Sequence, residues 1–531
     1  MADCAKLADV DISAAVGAKV HMTSATPVTD AKPAPYCRVT GYVEPMVKFE
    51  VRLPMSGWTQ RFVQTGCGGL CGNLSIHLNN ASGCYPADHG ELALASTDMG
   101  HTGGMDGKFG EKDYQLRIDF AFRGVHVTTL SAKALIAAFY GQPAKYSYFS
   151  GCSDGGREAL MEAQRYPEDF NGITAGAPAM NFTTQNTFYH GWNAVKNTDA
   201  DGKPILTADK LPILHEAALQ ACDAVDGLKD GLISDPLSCQ FDPSVAECKP
   251  DQDEKTCLTH AQVQTARDIY AGAHDAEGDK FVFSGPMPGS ELAWQGVYVP
   301  NPSDNRTISA TISTGTLKYL AYRENPPDSY TLADLKFSRD SFSAATQLHA
   351  LYDSTDPDLS SFAKAGGKLI IWHGLADSHI SPLNSIAYYT AMNRVMGDAA
   401  VQKFTRLYLF PGGYHCNGGE GPFNFDVLSA IMAWVERGTA PFAIEASHQN
   451  GQAPSPASAP KVDRTRPVYP YPLTVKYSGS GSIDEATNFS AGPAKSAPAS
   501  RLQWMGSSFY TPHYELWCVG AGPSMTCKSN P

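Results

Sequence analysis

Residues 146–157 read YSYFSGCSDGGR, a short strand that breaks into glycines around Ser153 and continues as a helix. The aromatic first half favours a strand, and the Ala, Leu, Met and Glu residues up to position 165 favour a helix. A serine on such a sharp turn has a strained backbone, so the residues two before and two after it must be tiny. Gly151 and Gly155 meet this requirement, and the stretch predicts a nucleophile elbow rather than a glycine-rich turn that happens to contain serine.

Two backbone sites near this elbow are candidates for stabilising an oxyanion. The turn aims the first free amide of the helix, the N–H of Asp154, at the reaction centre. The glycine cluster 66–69 directly follows a predicted strand, where such a sheet supplies a second amide because only glycine lets the backbone come so close. The alternative for this cluster is a plain loop.

Size and charge limit the classes of function. The chain has 531 residues, which predicts either a large core with an insertion or two domains. Its net charge of −13 argues against nucleic acid or an anionic membrane as a partner, because both require a basic face. No run of about 18 apolar residues is present, so no membrane span is expected. The sequence makes no prediction of oligomeric state.

Thirteen cysteines indicate the redox compartment. Several occur in close pairs and none forms a CxxC motif, which favours disulfides over a metal-thiolate site and predicts a secreted or periplasmic protein. The first ten residues, MADCAKLADV, lack a basic start followed by an apolar core, so no export signal is expected within them.

Alternating strand and helix signals predict an α/β-hydrolase core interrupted by an inserted lid. We expect residues 1–176 to form the first part of the core, 177–359 the lid and 360–531 the second part with a C-terminal tail. Residues 446–462 are rich in Ala, Pro, Ser and Gln and are interpreted as an exposed linker. The core elements expected are strands at 47–53, 61–65, 92–97, 146–150, 172–176, 368–372 and 404–410, and helices at 125–140, 157–165 and 385–396.

Ser153, Asp377 and His415 are the predicted catalytic triad. In α/β hydrolases the nucleophile, acid and histidine follow one another along the chain, each after a strand, and these residues obey both the order and the placement. The serine needs a base to take its proton, and the histidine needs a carboxylate that fixes its tautomer.

Cysteines flank two members of this triad. Cys152 immediately precedes Ser153, and Cys416 immediately follows His415. If serine and histidine lie within hydrogen-bond reach, their neighbours can meet disulfide geometry, with Cα atoms about 5.5 Å apart. We therefore predict a disulfide that fastens the base to the nucleophile; the alternative is two buried free thiols.

The CS…D…HC arrangement resembles the tannase and feruloyl esterase family, which also contains mono(2-hydroxyethyl) terephthalate hydrolase. Further similar motifs are ALASTDMGHTG (93–103), GREALMEAQRYP after the elbow, GAPA (176–179), WHGLAD, GGYHC, AWVERG and RTRPVYPYP (464–472). The resemblance implies a lidded α/β hydrolase that acts on esters of aromatic acids without an organic cofactor. It also implies that the backbone amides of Gly69 and Asp154 form the oxyanion hole.

The same resemblance implies a structural calcium ion in the lid. On its own, the segment 222–232 (CDAVDGLKDGL) favours a solvated acidic turn, although its spaced carboxylates and glycines suit an oxygen-rich loop for Ca²⁺. The ligands implied by the resemblance are the side chains of Asp223, Asp226 and Asp230 with the carbonyls of Leu228 and Leu232.

Disulfide pairings beyond the triad follow largely from the resemblance. It implies Cys4–Cys37, Cys222–Cys239 and Cys248–Cys257, whereas Cys518–Cys527 is predicted from proximity alone. Cys67, Cys71 and Cys84 leave an odd thiol that the sequence does not identify.

Specificity is expected to reside in the lid. By resemblance to the terephthalate monoester enzyme, Arg306 is a candidate to hold a substrate carboxylate, and Ile380 stands where that enzyme has a phenylalanine. Both positions depart from that pattern, so hydroxycinnamic or gallic esters are the expected substrates and the terephthalate monoester is the alternative. A non-catalytic aromatic-binding protein on a hydrolase scaffold is the alternative of another class.

Overall fold

A nine-stranded mixed sheet forms the centre of the molecule in the computed structural model, which describes residues 3–450 and 461–529. Its order is β1-β2-β3-β5-β4-β6-β7-β8-β9. The strands are β1 (Val20–Val28), β2 (Tyr36–Val43), β3 (Val47–Pro54), β4 (Arg61–Thr65), β5 (Ala93–Thr97), β6 (Tyr146–Cys152), β7 (Gly172–Gly176), β8 (Lys368–Gly374) and β9 (Thr405–Phe410). Strands β1 and β2 were not predicted; the remaining seven lie within two residues of the expected starts.

The parallel half of the sheet positions the candidate triad. Strands β5, β4, β6, β7, β8 and β9 are parallel neighbours, and the antiparallel strands β1 to β3 extend one edge. The carboxyl ends of parallel strands meet at one edge of a sheet, where ligands bind in α/β proteins. Ser153, Asp377 and His415 follow the ends of β6, β8 and β9, so the three segments converge at this edge.

Helices cover the sheet and build the segment between β7 and β8. The predicted core helices are present and begin or end within three residues of the expected positions. Every helix in the described ranges is too short or too polar to span a bilayer. The helices of seven residues or more are Gly124–Tyr140, Asp154–Arg165, His190–Lys196, Leu211–Cys222, His260–Ala271, Ile308–Tyr319, Arg339–Ala345, Leu383–Met396 and Val427–Arg437.

The segment from 177 to 367 contributes no strand to the sheet. Part of it packs around its own apolar cluster, which includes the buried Trp294, Tyr298 and Leu214. Its helix His260–Ala271 begins with a capping box in which Thr259 and Gln262 satisfy each other's backbone N–H groups. These features agree with an inserted lid, whose limits of 177 and 359 stay a prediction.

Three small hairpins follow the last core helix. The pairs are β10 (Ile444–Asn450) with β11 (Lys461–Val468), β12 (Leu473–Tyr477) with β13 (Phe489–Ala494), and β14 (Leu516–Ala521) with β15 (Ser524–Ser529). The linker predicted at 446–462 is therefore wrong at its ends, because residues 446–450 and 461–462 pair as strands. Its middle, 451–460, lies outside the described residues.

Candidate active site

Ser153 occupies the strained position that the glycines around it predict. Its backbone has φ +66° and ψ −123°, a region that side-chain-bearing residues rarely adopt. The conformation is held because the Ser153 N–H donates to the Gly176 carbonyl at 3.0 Å and the Ser153 carbonyl accepts from Ala179 N–H at 3.0 Å. A Cβ at Gly151 would lie 2.3 Å from the Gly155 carbonyl oxygen, which explains the requirement for glycine there.

The buried Asp377 and the partly buried His415 form a pair at the same edge. The Nδ1 atom of His415 lies 2.7 Å from Oδ2 of Asp377, and Oδ1 of Asp377 accepts from the backbone N–H groups of His379 and Ile380 at 2.8 and 3.0 Å. Burial raises the pKa of Asp377, but the charge of His415 and hydrogen bonds from His373 and His415 outweigh it and lower that pKa far below its usual value. Asp377 is thus an ionised carboxylate suited to hold Nδ1–H of His415.

His373 is a second histidine on this carboxylate that the sequence analysis missed. Its Nε2 lies 3.2 Å from Oδ2 of Asp377 and 3.1 Å from the Ile380 carbonyl, and its Nδ1 lies 2.8 Å from the Ser385 hydroxyl. Two acceptors at Nε2 favour the tautomer that is protonated there. The sequence could have indicated His373 by its position at the end of β8, four residues before Asp377.

A disulfide joins the segments that carry Ser153 and His415. Cys152 and Cys416 are bonded, with Cα atoms 5.9 Å apart across 264 residues of sequence. The structure also pairs the sulfurs of the other four predicted disulfides and adds Cys67–Cys71. Among the described cysteines, the remaining free thiol belongs to the buried Cys84.

The predicted oxyanion donors converge on the same cavity. Gly69 and Asp154 both line it, and neither backbone N–H donates to a protein acceptor within residues 3–450 and 461–529. The side chain of Asp154 is turned to the buried Arg157, which donates to its two oxygens from Nε at 2.7 Å and Nη2 at 3.0 Å. Arg157 thereby fixes the Asp154 carboxylate, and the backbone N–H of Asp154 stays free to donate into the cavity.

The cavity in front of Ser153 has a volume of about 520 Å³, within the range of small-molecule sites. Ile380, a candidate substrate contact, lines it, and its role stays a prediction. Arg306 does not: its side chain is 85% exposed and paired with Asp304 at 3.0 Å, so its position does not support a role in binding substrate. Apart from Ser153, His415, their immediate neighbours and the loop 66–69, the walls include Asn73, Ser75, His77, Asn79, Met105, Ala179, Gln185, Asn186, His190, Ile308, Ile312 and His379.

Comparison with known proteins identifies the family. The family described as "Tannase and feruloyl esterase" matches residues 30–491. The chain belongs to the tannase and feruloyl esterase family. It is 31% identical to mono(2-hydroxyethyl) terephthalate hydrolase of Piscinibacter sakaiensis, with 83% of this chain and 81% of that protein covered. It is 34% identical to a probable feruloyl esterase B-1 of Aspergillus fumigatus, with 82% and 81% covered.

A solved structure supports the same assignment. Feruloyl esterase B from Aspergillus oryzae superposes with a TM-score of 0.78 at 27% identity, covering 92% of this chain and 99% of that one. The tannase-family chain is therefore a carboxylic ester hydrolase with an α/β-hydrolase core and an additional domain. This identification favours the esterase over the non-catalytic aromatic-binding alternative.

Two further histidines of this tannase-family cavity come from segments that sequence analysis could not bring together. His379 stacks on His415 with ring centroids 4.5 Å apart, and Nδ1 of His190 lies 2.8 Å from the Ser309 hydroxyl. Burial and then the positive charge of His415 lower the pKa of His190 to about 3 and the pKa of His379 well below its usual value. Both rings are therefore uncharged near neutral pH.

The acidic loop 222–232 carries carboxylate and carbonyl oxygens, the atoms that a hard cation prefers as ligands. Oδ1 of Asp230 is buried without a hydrogen-bond partner, while Oδ2 pairs with Arg466 at 2.7 Å. Burial and, more weakly, neighbouring carboxylates raise the pKa values of Asp226 and Asp230. Within the described part of the chain, the carbonyls of Leu228 and Leu232 accept no hydrogen bond. Asp223 differs, because its oxygens accept the N–H groups of Asp230 and Gly231.

Proposed function

We propose that this chain is a serine esterase that hydrolyses esters of uncharged aromatic acids, of the hydroxycinnamic or gallic type, through an acyl-enzyme. The observation that carries the proposal is the strained Ser153, fastened by Cys152–Cys416 to the His415 segment, in a cavity that also holds two unused backbone N–H groups. Each of these features serves acyl transfer.

The first half-reaction acylates Ser153. Its hydroxyl oxygen attacks the ester carbonyl while Nε2 of His415 takes the proton. The developing oxyanion is stabilised by the N–H groups of Gly69 and Asp154. His415 then gives its proton to the departing alcohol, and the ionised Asp377 stabilises the imidazolium through Nδ1–H.

The second half-reaction regenerates the enzyme. Water enters from the cavity, loses a proton to Nε2 of His415 and attacks the acyl carbonyl. The same two N–H groups stabilise the second oxyanion, and the aromatic acid leaves as the Ser153 hydroxyl is re-protonated. One imidazole therefore acts as base and acid in turn, which requires that Asp377 keep it in one orientation.

The charge of the cavity favours a neutral acyl group. None of its lining residues in the described part of the chain is Lys or Arg. His190 and His379 are uncharged near neutral pH, and Arg306 points to solvent. A carboxylate buried without a partner loses its hydration and costs several kcal/mol. Phenolic groups instead match the amide and imidazole groups that line the walls.

A matched pair of terephthalate esters tests the substrate class. Dimethyl terephthalate and monomethyl terephthalate share the ring and the scissile ester and differ in one negative charge. We expect kcat/KM for the neutral diester to exceed that for the monoanion by at least about tenfold, because the cavity offers the anion no counter-charge. Methyl ferulate and methyl gallate should also be hydrolysed.

A preference for the monoanion would contradict the neutral acyl site and favour a terephthalate monoesterase. Chlorogenate and mono(2-hydroxyethyl) terephthalate extend the panel to larger acids and alcohols. If the wild-type protein hydrolysed none of the esters in the panel, the proposed function itself would be contradicted. Salt dependence provides a control, since screening alters the rate of the charged substrate and not that of the neutral one.

We further propose that the lid loop binds a structural Ca²⁺ ion. The side chains of Asp223, Asp226 and Asp230 and the carbonyls of Leu228 and Leu232 would hold it. The unpartnered buried oxygen of Asp230 and the free carbonyls support this donor set, since Ca²⁺ prefers carboxylate and carbonyl oxygens. The ion would neutralise three neighbouring carboxylates and rigidify the lid.

Removing calcium is expected to lower the thermal midpoint. A free Ca²⁺ concentration of about one hundred times Kd raises the free energy of unfolding by about 2.7 kcal/mol. Dialysis against EGTA should remove this stabilisation. Asp226→Asn should weaken the response to added Ca²⁺, whereas Asp201→Asn, which removes an equal charge elsewhere in the lid, should retain it. A midpoint indifferent to chelator and to added calcium would contradict the site.

We also propose that the protein folds in an oxidising compartment, either secreted or periplasmic. Six disulfides support this, since glutathione and thioredoxin keep most cytosolic thiols reduced.

A further inference from the structure

The loop that carries Gly69 is itself closed by a disulfide. Cys67 and Cys71 are bonded, with Cα atoms 5.3 Å apart, and enclose three residues. Cys67 lines the cavity together with Gly68 and Gly69. The disulfide therefore lies beside one of the two candidate oxyanion donors.

The first end of this loop is anchored on the elbow helix, Asp154–Arg165. Gly155 N–H donates to the Cys67 carbonyl at 2.7 Å, and Cys67 N–H donates to Oε1 of Glu158 at 3.3 Å. A Cβ at Gly66 would lie 2.5 Å from the Cα of Gly155. The loop thus starts in direct contact with the turn that carries Ser153.

A buried acid lies beneath the two sulfurs. Glu158 is 1% exposed, and its Oε1 is 2.6 Å from Sγ of Cys67 and 3.3 Å from Sγ of Cys71. Burial, with the charge of Asp154 added to it, raises the pKa of Glu158 well above its usual range. A protonated carboxyl can donate its O–H to a sulfur, so this packing suits a disulfide.

The second end of the loop is anchored on the segment 98–105. One ring nitrogen of His101, Nε2, lies 2.7 Å from the Leu70 carbonyl, and Gly72 N–H donates to the Asp98 carbonyl at 3.2 Å. A Cβ at Gly72 would lie 2.2 Å from the Gly103 carbonyl oxygen, so this end also fits tightly.

The Gly69 N–H at the middle of the loop lacks such an anchor, although Cys71 N–H donates to the Gly68 carbonyl at 3.0 Å. Gly69 has φ +64° and an N–H without a protein acceptor in the described residues, and its nearest wall is the flexible side chain of Met105. We propose that the Cys67–Cys71 disulfide is a positioning element that fixes the Gly69 N–H toward the oxyanion. The proposal rests on acyl transfer at Ser153.

The length of the closed loop supports a local role. Chain-entropy stabilisation by a disulfide grows with the number of residues enclosed, so the five-residue ring of Cys67–Cys71 contributes far less than Cys152–Cys416, which spans 264 residues. Geometry of the loop, rather than global stability, is the property that this disulfide controls.

The test compares two disulfide deletions. Cys67→Ala/Cys71→Ala removes the proposed positioning element, and Cys248→Ala/Cys257→Ala removes a short-range disulfide in the lid that does not line the cavity. The assay measures kcat and KM for a neutral aryl ester, with active sites counted by the burst of released nitrophenol. Counting active sites corrects kcat for any misfolded fraction.

We expect kcat of the Cys67/Cys71 variant to fall by about ten- to a hundredfold with KM within about twofold, because a displaced oxyanion donor costs somewhat less than a deleted one. The Cys248/Cys257 variant should keep the wild-type kcat. Wild-type kcat per active site in the Cys67/Cys71 variant, or an equal loss in both variants, would overturn the proposal. If Ser153→Ala retained wild-type activity, the proposed function would fail instead.

Limited reduction of wild-type enzyme gives a second measurement that does not depend on folding of a variant. A water-soluble phosphine takes oxygen from water to become phosphine oxide and converts the disulfide to two thiols. Activity is measured first, and thiols are then alkylated and mapped. The fraction of kcat lost should equal the fraction of Cys67 and Cys71 that is found alkylated. Retained activity after these two cysteines are fully reduced would overturn the proposal.

Discussion

Ser153→Ala is expected to lower kcat for methyl ferulate by about 10⁴-fold or more, leaving the activity that binding and the oxyanion donors alone can give. The side chain contributes no hydrogen bond to the described fold, and the strained backbone is held by Gly176 and Ala179. The thermal midpoint should therefore stay close to that of the wild type. Spectrophotometric assay of ester hydrolysis beside a thermal melt measures both.

Ser480→Ala is the matched control, because it removes the same hydroxyl from an exposed residue that does not line the cavity, and it should retain full activity. Equal turnover by Ser153→Ala and the wild type would remove Ser153 from the mechanism. If Ser153→Ala lost both activity and the folded state, activity would be measured on its soluble, folded fraction and compared with that of Ser480→Ala.

Asp377→Asn is expected to lower kcat by about 10³- to 10⁴-fold, with a smaller change in KM. Asparagine can still accept the N–H groups of His379 and Ile380 at Oδ1, but its amide would face Nδ1 of His415 with a donor. The imidazole would then carry its proton on Nε2 and could not take one from Ser153. Steady-state kinetics of the purified variant measures this loss.

A second buried histidine–aspartate pair supplies the control for this variant. Nδ1 of His349 lies 2.7 Å from Oδ2 of Asp353, which is fully buried like Asp377, and unlike His415 the ring of His349 does not line the cavity. Asp353→Asn should lower stability and retain kcat per active site. Similar kcat losses in both variants would show that Asp377 acts through folding rather than through His415.

Local patterns explain why so much of the core was predicted from sequence. Strand β3 alternates apolar residues, and the elbow places glycines where added carbon atoms would overlap backbone. The order of Ser153, Asp377 and His415 after three strands then suffices to predict that they converge. Backbone sterics and strand periodicity act over a few residues, so they can be recognised in the sequence.

Contacts between distant segments leave no such pattern. His190 begins the helix His190–Lys196 and His379 lies in the loop after β8, and only the folded chain places both in the cavity with His415. Arg306 was a substrate candidate by resemblance alone, and the structure pairs it with Asp304 at the surface. The partner of Cys67 was equally undetermined, because Cys71 and Cys84 were both available to pair with it.

Trapping the nucleophile tests the central claim most directly. Wild-type enzyme treated with diethyl p-nitrophenyl phosphate should gain one diethylphosphoryl group, lose activity in proportion, and carry the added mass on the peptide containing Ser153. Ser153→Ala should gain none under the same conditions. A stoichiometric adduct on another residue, or full phosphorylation of Ser153 with activity retained, would contradict the account.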